Sequence, residues 1–306
     1  MLNLEKIRKH LLFAGLLLTV FVKVVPIGEG AQFYFLIISI ILTGIPHGSL
    51  DFFIQKQSLI NTNQKVSLYL FLTKYLFSML VFGLVWWLFP TLALFIFIVM
   101  SAYHFGEVDW PRRGSAKLDS VLYTIYGFLM IAFILTSHIN SAAPILEIIV
   151  QGKLTVGFWL KWGSLLYPYC GVLLGLNIFV LFLLREYLRW EKAVLYQFVL
   201  QSILLIFIIH ELPLYLCFGF YFGLWHSVIS FNLIRRQMNL TNDWLGWLSI
   251  ARKAIPFTVL AWLGILVLIV VSGMFQTEWL VLSNIFLGIA ILTLPHLQVF
   301  TKINLG

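Results

Sequence analysis

Long runs of apolar residues, separated by short polar segments, dominate the hydrophobic pattern of the chain. A membrane-spanning helix needs roughly 17–25 mostly apolar residues, and ten runs approach or reach that length. Pro90 and Pro213 each divide a pair of neighbouring runs, because proline removes a backbone donor and favours a break between helices. The pattern predicts an all-α, polytopic membrane bundle of about ten transmembrane helices. The predicted spans are approximately 11–27, 31–54, 67–88, 90–107, 119–140, 164–184, 194–210, 212–234, 255–272 and 279–300.

Composition supports the membrane interpretation. Of the 306 residues, 61% are hydrophobic and 10% are charged, whereas a soluble protein carries about 25% charged residues. So few charges cannot cover that much apolar surface in water, which excludes a soluble fold. Disorder is excluded because the chain has abundant apolar area to bury. We therefore interpret residues 1–306 as a single integral-membrane domain, with a short interfacial helix in the segment 141–163.

The placement of basic residues predicts the topology. The net charge is +8, and most of the 20 Lys and Arg residues lie in short segments on one side of the predicted spans. Lys153 and Lys161 lie on the other side, and Lys23 and Lys74 lie within spans. This asymmetry follows the positive-inside rule, so both termini are expected in the cytoplasm. It also argues against a nucleic-acid-binding face. The basic start of the chain lacks a clear cleavage site and is interpreted as part of a retained first helix.

The histidines inside the predicted spans are the strongest chemical signal, because ionisable groups within a bilayer are costly and usually functional. Four of them lie in the second, fourth, eighth and tenth spans, which all run in the same direction. At 1.5 Å per residue they fall in one layer about 10 Å thick. Imidazole nitrogens suit iron, zinc and copper, so the pattern predicts a metal site. The alternative is four separate polar residues, each hydrogen-bonded between helices. The four are His47, His104, His226 and His296.

The remaining histidines and the two cysteines are interpreted as structural. His138 and His210 end odd-numbered spans on the opposite side, and His10 lies next to the membrane. Cys170 and Cys217 lie inside apolar runs and are expected in the core rather than in a disulfide.

Two carboxylates near the intramembrane histidines are candidate supporting groups. Asp51 is four residues after His47 and shares its helical face, so it could accept the second ring N–H of a liganding histidine. Glu107 is three residues after His104 and could take the same role, or could simply face the inner surface of the membrane. The sequence leaves both interpretations of Glu107 open.

Four segments together resemble the Brp/Blh family of membrane β-carotene 15,15′-dioxygenases: PHGSLD, AYHFGEVDW, FGFYFGLWHS and PHLQV. They extend from residue 46 to residue 299, so the resemblance covers nearly the whole chain. It implies a multi-pass enzyme of the bacterial inner membrane that holds non-haem Fe(II) through histidines. The implied reaction uses O2 to cleave the central double bond of β-carotene into two molecules of retinal, and a retinal-using rhodopsin is the implied consumer.

The resemblance also implies roles for individual residues. It makes His47, His104 and His226 iron ligands. The family has a further histidine four residues after the third ligand, where this chain has Ser230, a poor ligand. Either His296 or a water is then expected to complete the site, or the activity is altered.

Aromatic residues beside the histidines are expected to line a slot for the polyene, and an opening between helices would admit it directly from lipid. These residues are Tyr103, Phe105, Tyr221 and Trp225. Two alternatives to the enzyme remain. The first is a carotenoid- or retinal-binding membrane protein that has lost catalysis. The second, less favoured, is a transporter with a proton relay of His, Asp and Glu side chains.

Overall fold

The structure is a computed structural model that describes residues 2–59, 67–111, 116–271 and 278–301. Within these ranges the chain is helical, without a β-strand, as predicted. A helix satisfies every backbone hydrogen bond within its own segment, which lipid requires. The helices are α1 Leu2–Val24, α2 Glu29–Leu59, α3 Leu68–Leu88, α4 Pro90–Asp109, α5 Ala116–Ser137, α6 Ile139–Ile149, α7 Val156–Leu184, α8 Lys192–Glu211, α9 Leu214–Gln237, α10 Trp244–Val271 and α11 Glu278–Phe300.

Nine helices of the described ranges, α2 to α5 and α7 to α11, are long and apolar enough to cross a membrane. The sequence predicts ten spans, and the additional one corresponds to α1. This helix forms where the N-terminal run predicts it, but Arg8, Lys9 and Lys23 leave it more charged than the other nine. The predicted breaks are confirmed, because Pro90 is the first residue of α4 and Pro213 directly precedes α9. The short α6 overlaps the segment in which an interfacial helix is expected.

Backbone contact between α4 and α5 fixes the position of α4, which carries His104. A Cβ atom added to Gly106 would collide with the carbonyl oxygen of Tyr123, and one added to Gly127 would collide with that of Ala102. Only glycine therefore fits at these two crossing points. Small residues one turn apart allow membrane helices to approach this closely.

Replacing Gly127 with alanine is expected to destabilise the protein by about 3 kcal/mol, the upper end of the usual cost of overpacking. The physical reason is that the new methyl group can be accommodated only if the two helix backbones separate. Thermal unfolding in detergent measures the effect. Gly175→Ala is the matched control, because a Cβ there meets no atom within 4 Å. Equal unfolding temperatures for the two variants would contradict the contact.

Two spans contain wide turns that the hydrophobic pattern does not predict. The backbone adopts π-helical geometry at Ile40–Gly44 in α2 and at Gly219–His226 in α9. The two segments touch, since the Thr43 hydroxyl donates to the carbonyl oxygen of Gly223 at 2.5 Å. Wide turns of this kind change which face the following residues present and are frequent at functional sites. Here the first precedes His47 and the second ends at a histidine.

Candidate metal centre

Three of the four predicted histidines form a compact buried group. His47 comes from α2, His104 from α4 and His226 from α9, and each offers a ring nitrogen within 4.8 Å of the other two. Their exposed fractions are 5%, 3% and 1%. Three neutral nitrogen donors in a water-poor interior could hold a metal ion.

The fourth histidine, His296 of α11, joins the same group. Its Nε2 atom lies 3.2 Å from Nε2 of His104. Its ring centroid is 4.8 Å from that of His104 and 5.1 Å from that of His47. The four histidines predicted to bind the metal therefore meet in one place, although they come from four helices spread over most of the sequence.

A carboxylate determines which nitrogen of His296 faces the group. Oδ1 of Asp51 lies 2.8 Å from Nδ1 of His296, and Oδ2 of Asp51 accepts a hydrogen bond from the Tyr75 hydroxyl at 3.0 Å. A carboxylate only accepts hydrogen bonds, so the proton of His296 lies on Nδ1. The lone pair of Nε2 then points toward His104. A hydrogen-bonded outer partner of this kind orients metal-binding histidines in many proteins.

The expectation that Asp51 shares a helical face with His47 is wrong. The sequence pattern predicts Asp51 on that face, one turn after His47, as an acceptor for a liganding histidine. The structure places a turn at Ser49 and Leu50, which interrupts α2 between the two residues, so they do not share a regular helical face. Asp51 instead serves a histidine from the other end of the chain. Nδ1 of His47 faces the carbonyl oxygen of Thr43 at 3.4 Å.

Several buried ring nitrogens find no hydrogen-bond partner among the described residues. These are both nitrogens of His226 and Nδ1 of His104. An unpartnered buried polar atom costs about 1–3 kcal/mol, so the arrangement calls for a ligand that accepts nitrogen lone pairs. A metal ion fits this requirement for one nitrogen of each ring, because a neutral imidazole has a lone pair on one nitrogen and carries its proton on the other.

Glu107 and Ser230 lie close to His104 and His226 in the sequence, and both are buried. Glu107 is 1% exposed, so it does not face the surface of the membrane. It makes no hydrogen bond to Nδ1 of His104, which lacks a partner among the described residues. Ser230 lies one helical turn after His226, is fully buried, and its hydroxyl has no partner in the described part of the chain.

The histidines line an apolar cavity of about 290 Å³. Side chains from α2, α3, α4, α5, α6, α9, α10 and α11 contribute to its walls. Of the four aromatic residues expected at the slot, Phe105 is a wall residue, and its ring centroid lies 4.3 Å from that of His226. A large apolar pocket with a few convergent polar groups is the usual form of a small-molecule site.

The other three aromatic residues are not among the wall residues. The ring of Tyr103 contacts Tyr123, with centroids 5.2 Å apart. Tyr221 and Trp225 instead hydrogen-bond to Asp109, at 3.0 Å to Oδ2 and 2.7 Å to Oδ1. Buried tyrosine and tryptophan need acceptors for their polar hydrogens. That requirement, which the aromatic pattern does not reveal, places these two side chains away from the cavity.

Sequence reasoning missed Asp109 as a functional candidate. The residue is 1% exposed and lies at the end of α4. Its hydrogen bonds to Tyr221 and Trp225 join α4 to the segment of α9 that ends at His226. The Arg8 side chain from α1 reaches the same place and donates to the carbonyl oxygens of Val108 and Asp109 at 2.8 and 3.0 Å. An acidic residue at the end of an apolar run, inside the AYHFGEVDW segment, was the available signal.

Comparisons with known proteins agree on one family. A family model described as Beta-carotene 15,15'-dioxygenase matches residues 38–304. A protein named Beta-carotene 15,15'-dioxygenase from an uncultured marine bacterium, 66A03, is 25% identical over 260 residues, which cover 84% of this chain and 89% of the relative. No solved structure matches. The family match includes all four clustered histidines and most of the chain, and the chain therefore belongs to the beta-carotene 15,15′-dioxygenase family.

Proposed function

We propose that the protein uses O2 to cleave the central 15,15′ double bond of β-carotene into two molecules of retinal. The observation that carries this proposal is the meeting of four buried histidines at the wall of an apolar cavity. The reaction balances without a further reductant. One O2 molecule and one carbon–carbon double bond become two aldehyde groups, each with one of the oxygen atoms. The family of the chain supports this reaction over a transporter.

We further propose that the bound metal is Fe(II), held by His47, His104, His226 and His296. Reduced iron supplies the activation of O2 that protein side chains lack. Four imidazoles fit this ion because they are neutral nitrogen donors that suit iron. They also place no additional negative charge in a low-dielectric interior.

The protein contributes position and exclusion of water. Asp51 and Tyr75 orient the ring of His296. Asp109 holds the π-helical segment of α9, which ends at His226, through Tyr221 and Trp225. Phe105 presents a flat ring to the cavity next to His226. The apolar walls bind the polyene and keep bulk water from the reacting carbons.

A reaction of the purified protein with β-carotene under ¹⁸O₂ tests the proposal. We expect retinal as the product, with labelled oxygen in the aldehyde groups when exchange with water is suppressed. We also expect a bacterial host that makes β-carotene to lose its orange colour when it expresses the protein. Unchanged β-carotene, bound but not cleaved, would support instead a carotenoid-binding protein without catalysis.

The hydrogen bonds of Asp109 predict a loss of activity in Asp109→Asn. The amide group donates where one carboxylate oxygen accepts, so one buried donor of Tyr221 or Trp225 loses its partner, which costs about 1–3 kcal/mol. Retinal formation is expected to fall by about tenfold, because Trp225 directly precedes His226 and a small displacement of a group at the reaction site costs rate. Initial rates measure it. Asp243→Asn, in the loop after α9 with an exposed side chain, is the control and should retain the rate. Equal rates in the two variants would contradict this role of Asp109.

A further inference from the structure

The cavity is long in the direction of the helices. On α11 its walls extend from His296 back to Leu282, which is about 20 Å along the helix axis at 1.5 Å per residue. On α4 they extend from His104 back to Leu94, about 15 Å. The histidines therefore stand at one end of an elongated space. We call the part between the histidines and α6 the closed arm.

Helix α6 closes the far end of this arm. It presents one face to the cavity through residues spaced three and four apart, the helical repeat. The indole N–H of Trp86, near the end of α3 away from the histidines, donates to the carbonyl oxygen of Ile149 at 3.2 Å and fixes α6 there. The wall residues of α6 are Ala142, Ile145, Leu146 and Ile149. The first three are buried, so the arm does not open to the surface past them.

The cavity opens between α3 and α10. Leu76 of α3 and Leu260 of α10 line it and yet have exposed fractions of 59% and 61%. Both helices are apolar enough to cross a membrane, so this opening, which we call the mouth, faces lipid. Tyr75, next to Leu76, hydrogen-bonds to Asp51. The mouth therefore lies at the level of the histidines rather than at the α6 end.

We propose that the depth of the closed arm selects which double bond of the polyene is cleaved. The carotenoid enters from the bilayer through the mouth, its leading ring stops against α6, and the bond that then lies beside the histidines reacts. The rest of the molecule extends through the mouth. This inference rests on the proposed function.

The physical basis is the stiffness of a conjugated chain. Such a chain cannot fold to adjust its length, so the stop at one end fixes the position of every bond along it. One added or missing methylene in an apolar pocket changes the discrimination between substrates by about 10–200-fold. Changes of one side chain at the α6 end should therefore move the cleavage position rather than only slow the reaction.

Two opposite substitutions on α6 test the depth of the arm. Ala142→Leu shortens it and Leu146→Ala lengthens it, while the histidines are untouched. Each variant is expected to raise the ratio of unequal apocarotenal pairs to retinal by about tenfold, measured by chromatography after reaction with β-carotene. Ser141→Leu is the matched control, because Ser141 is exposed on the same helix and does not line the cavity. It should give retinal only.

The possible results separate this inference from the proposed function. If both arm variants give retinal as the sole product, whether the reaction is fast or slow, the inference is overturned and the proposed function stands. Unchanged β-carotene with the wild-type protein would overturn the proposed function itself.

A second pair of variants tests the mouth. Leu260→Trp is expected to lower the rate with β-carotene in vesicles by about tenfold, because a large ring narrows the opening, while retinal remains the product. Leu263→Trp is the control, because Leu263 is exposed on the same helix but does not line the cavity. Equal rates for the two variants would show that the substrate does not pass between α3 and α10.

Discussion

Retinal formation is expected to disappear when His104 is replaced by alanine. This ring is central to the group, since its centroid lies 4.7 Å from that of His226 and 4.8 Å from that of His296. Its removal deletes one nitrogen donor and leaves a void at the point where the four helices meet. We expect bound iron to fall to the background of the preparation, and retinal to the background of cells without the gene. Metal analysis and product analysis of the same sample measure the two effects.

The same result is expected for His47→Ala and His226→Ala, which remove the other two members of the compact group. His210→Ala is the control. Its ring lies outside the cluster, stacks on Tyr167 and is about half exposed, so this variant should keep its iron and its activity. Full retinal output from the three cluster variants would show that these histidines do not hold the catalytic metal.

Weaker iron binding is the second large effect, expected in Asp51→Ala. The substitution removes the acceptor of the His296 N–H and of the Tyr75 hydroxyl together. Loss of an outer partner of a metal-binding histidine typically costs 10–100-fold in metal affinity, and a loss of that size is expected here. Competition with a chelator measures the affinity, and excess iron should restore part of the retinal formation.

Two tyrosine variants extend the Asp51 experiment with an intermediate case and a control. Tyr75→Phe removes only one hydrogen bond to the carboxylate, so its iron affinity should fall between those of the wild type and Asp51→Ala. Tyr69→Phe is the control, because Tyr69 is 80% exposed on the same helix and should behave as the wild type. An unchanged iron affinity in Asp51→Ala would contradict the role of Asp51 in orienting His296 for the metal.

The helices and the meeting of the histidines follow from local sequence. Apolar runs determine where helices form, and the prolines at 90 and 213 end them at places that the structure confirms. The depth of each histidine and the direction of its helix can both be read from the sequence, without knowing how the helices pack. For this reason the sequence alone brings His47, His104, His226 and His296 to one level.

The contacts that hold the histidines depend on packing between distant segments. Asp51 meets His296 across 245 positions of the chain, and no local spacing encodes that distance. The turn at Ser49 and Leu50, which separates Asp51 from His47, breaks the helical repeat on which the sequence-based pairing depends. Hydrophobic periodicity also averages over single turns, so it does not reveal the π-helical segments.

The roles of the aromatic residues show a further limit of sequence reasoning. Phe105, Tyr221 and Trp225 look alike as flat apolar groups near histidines. Only Phe105 has no polar hydrogen to satisfy, and of the three it is the one that lines the cavity. The hydroxyl of Tyr221 and the indole N–H of Trp225 are drawn to Asp109. Its role becomes visible only when α4 and α9 are packed together.

X-ray absorption at the iron K edge of the purified protein addresses the histidine-bound metal most directly. Four imidazoles around one Fe(II) should give a first shell of nitrogen or oxygen scatterers only, with the outer-shell signal of several imidazole rings. His104→Ala should lose that signal together with the bound iron. A first shell that contains sulfur, a spectrum without imidazole scattering, or iron retained unchanged in His104→Ala would contradict a metal held by these histidines.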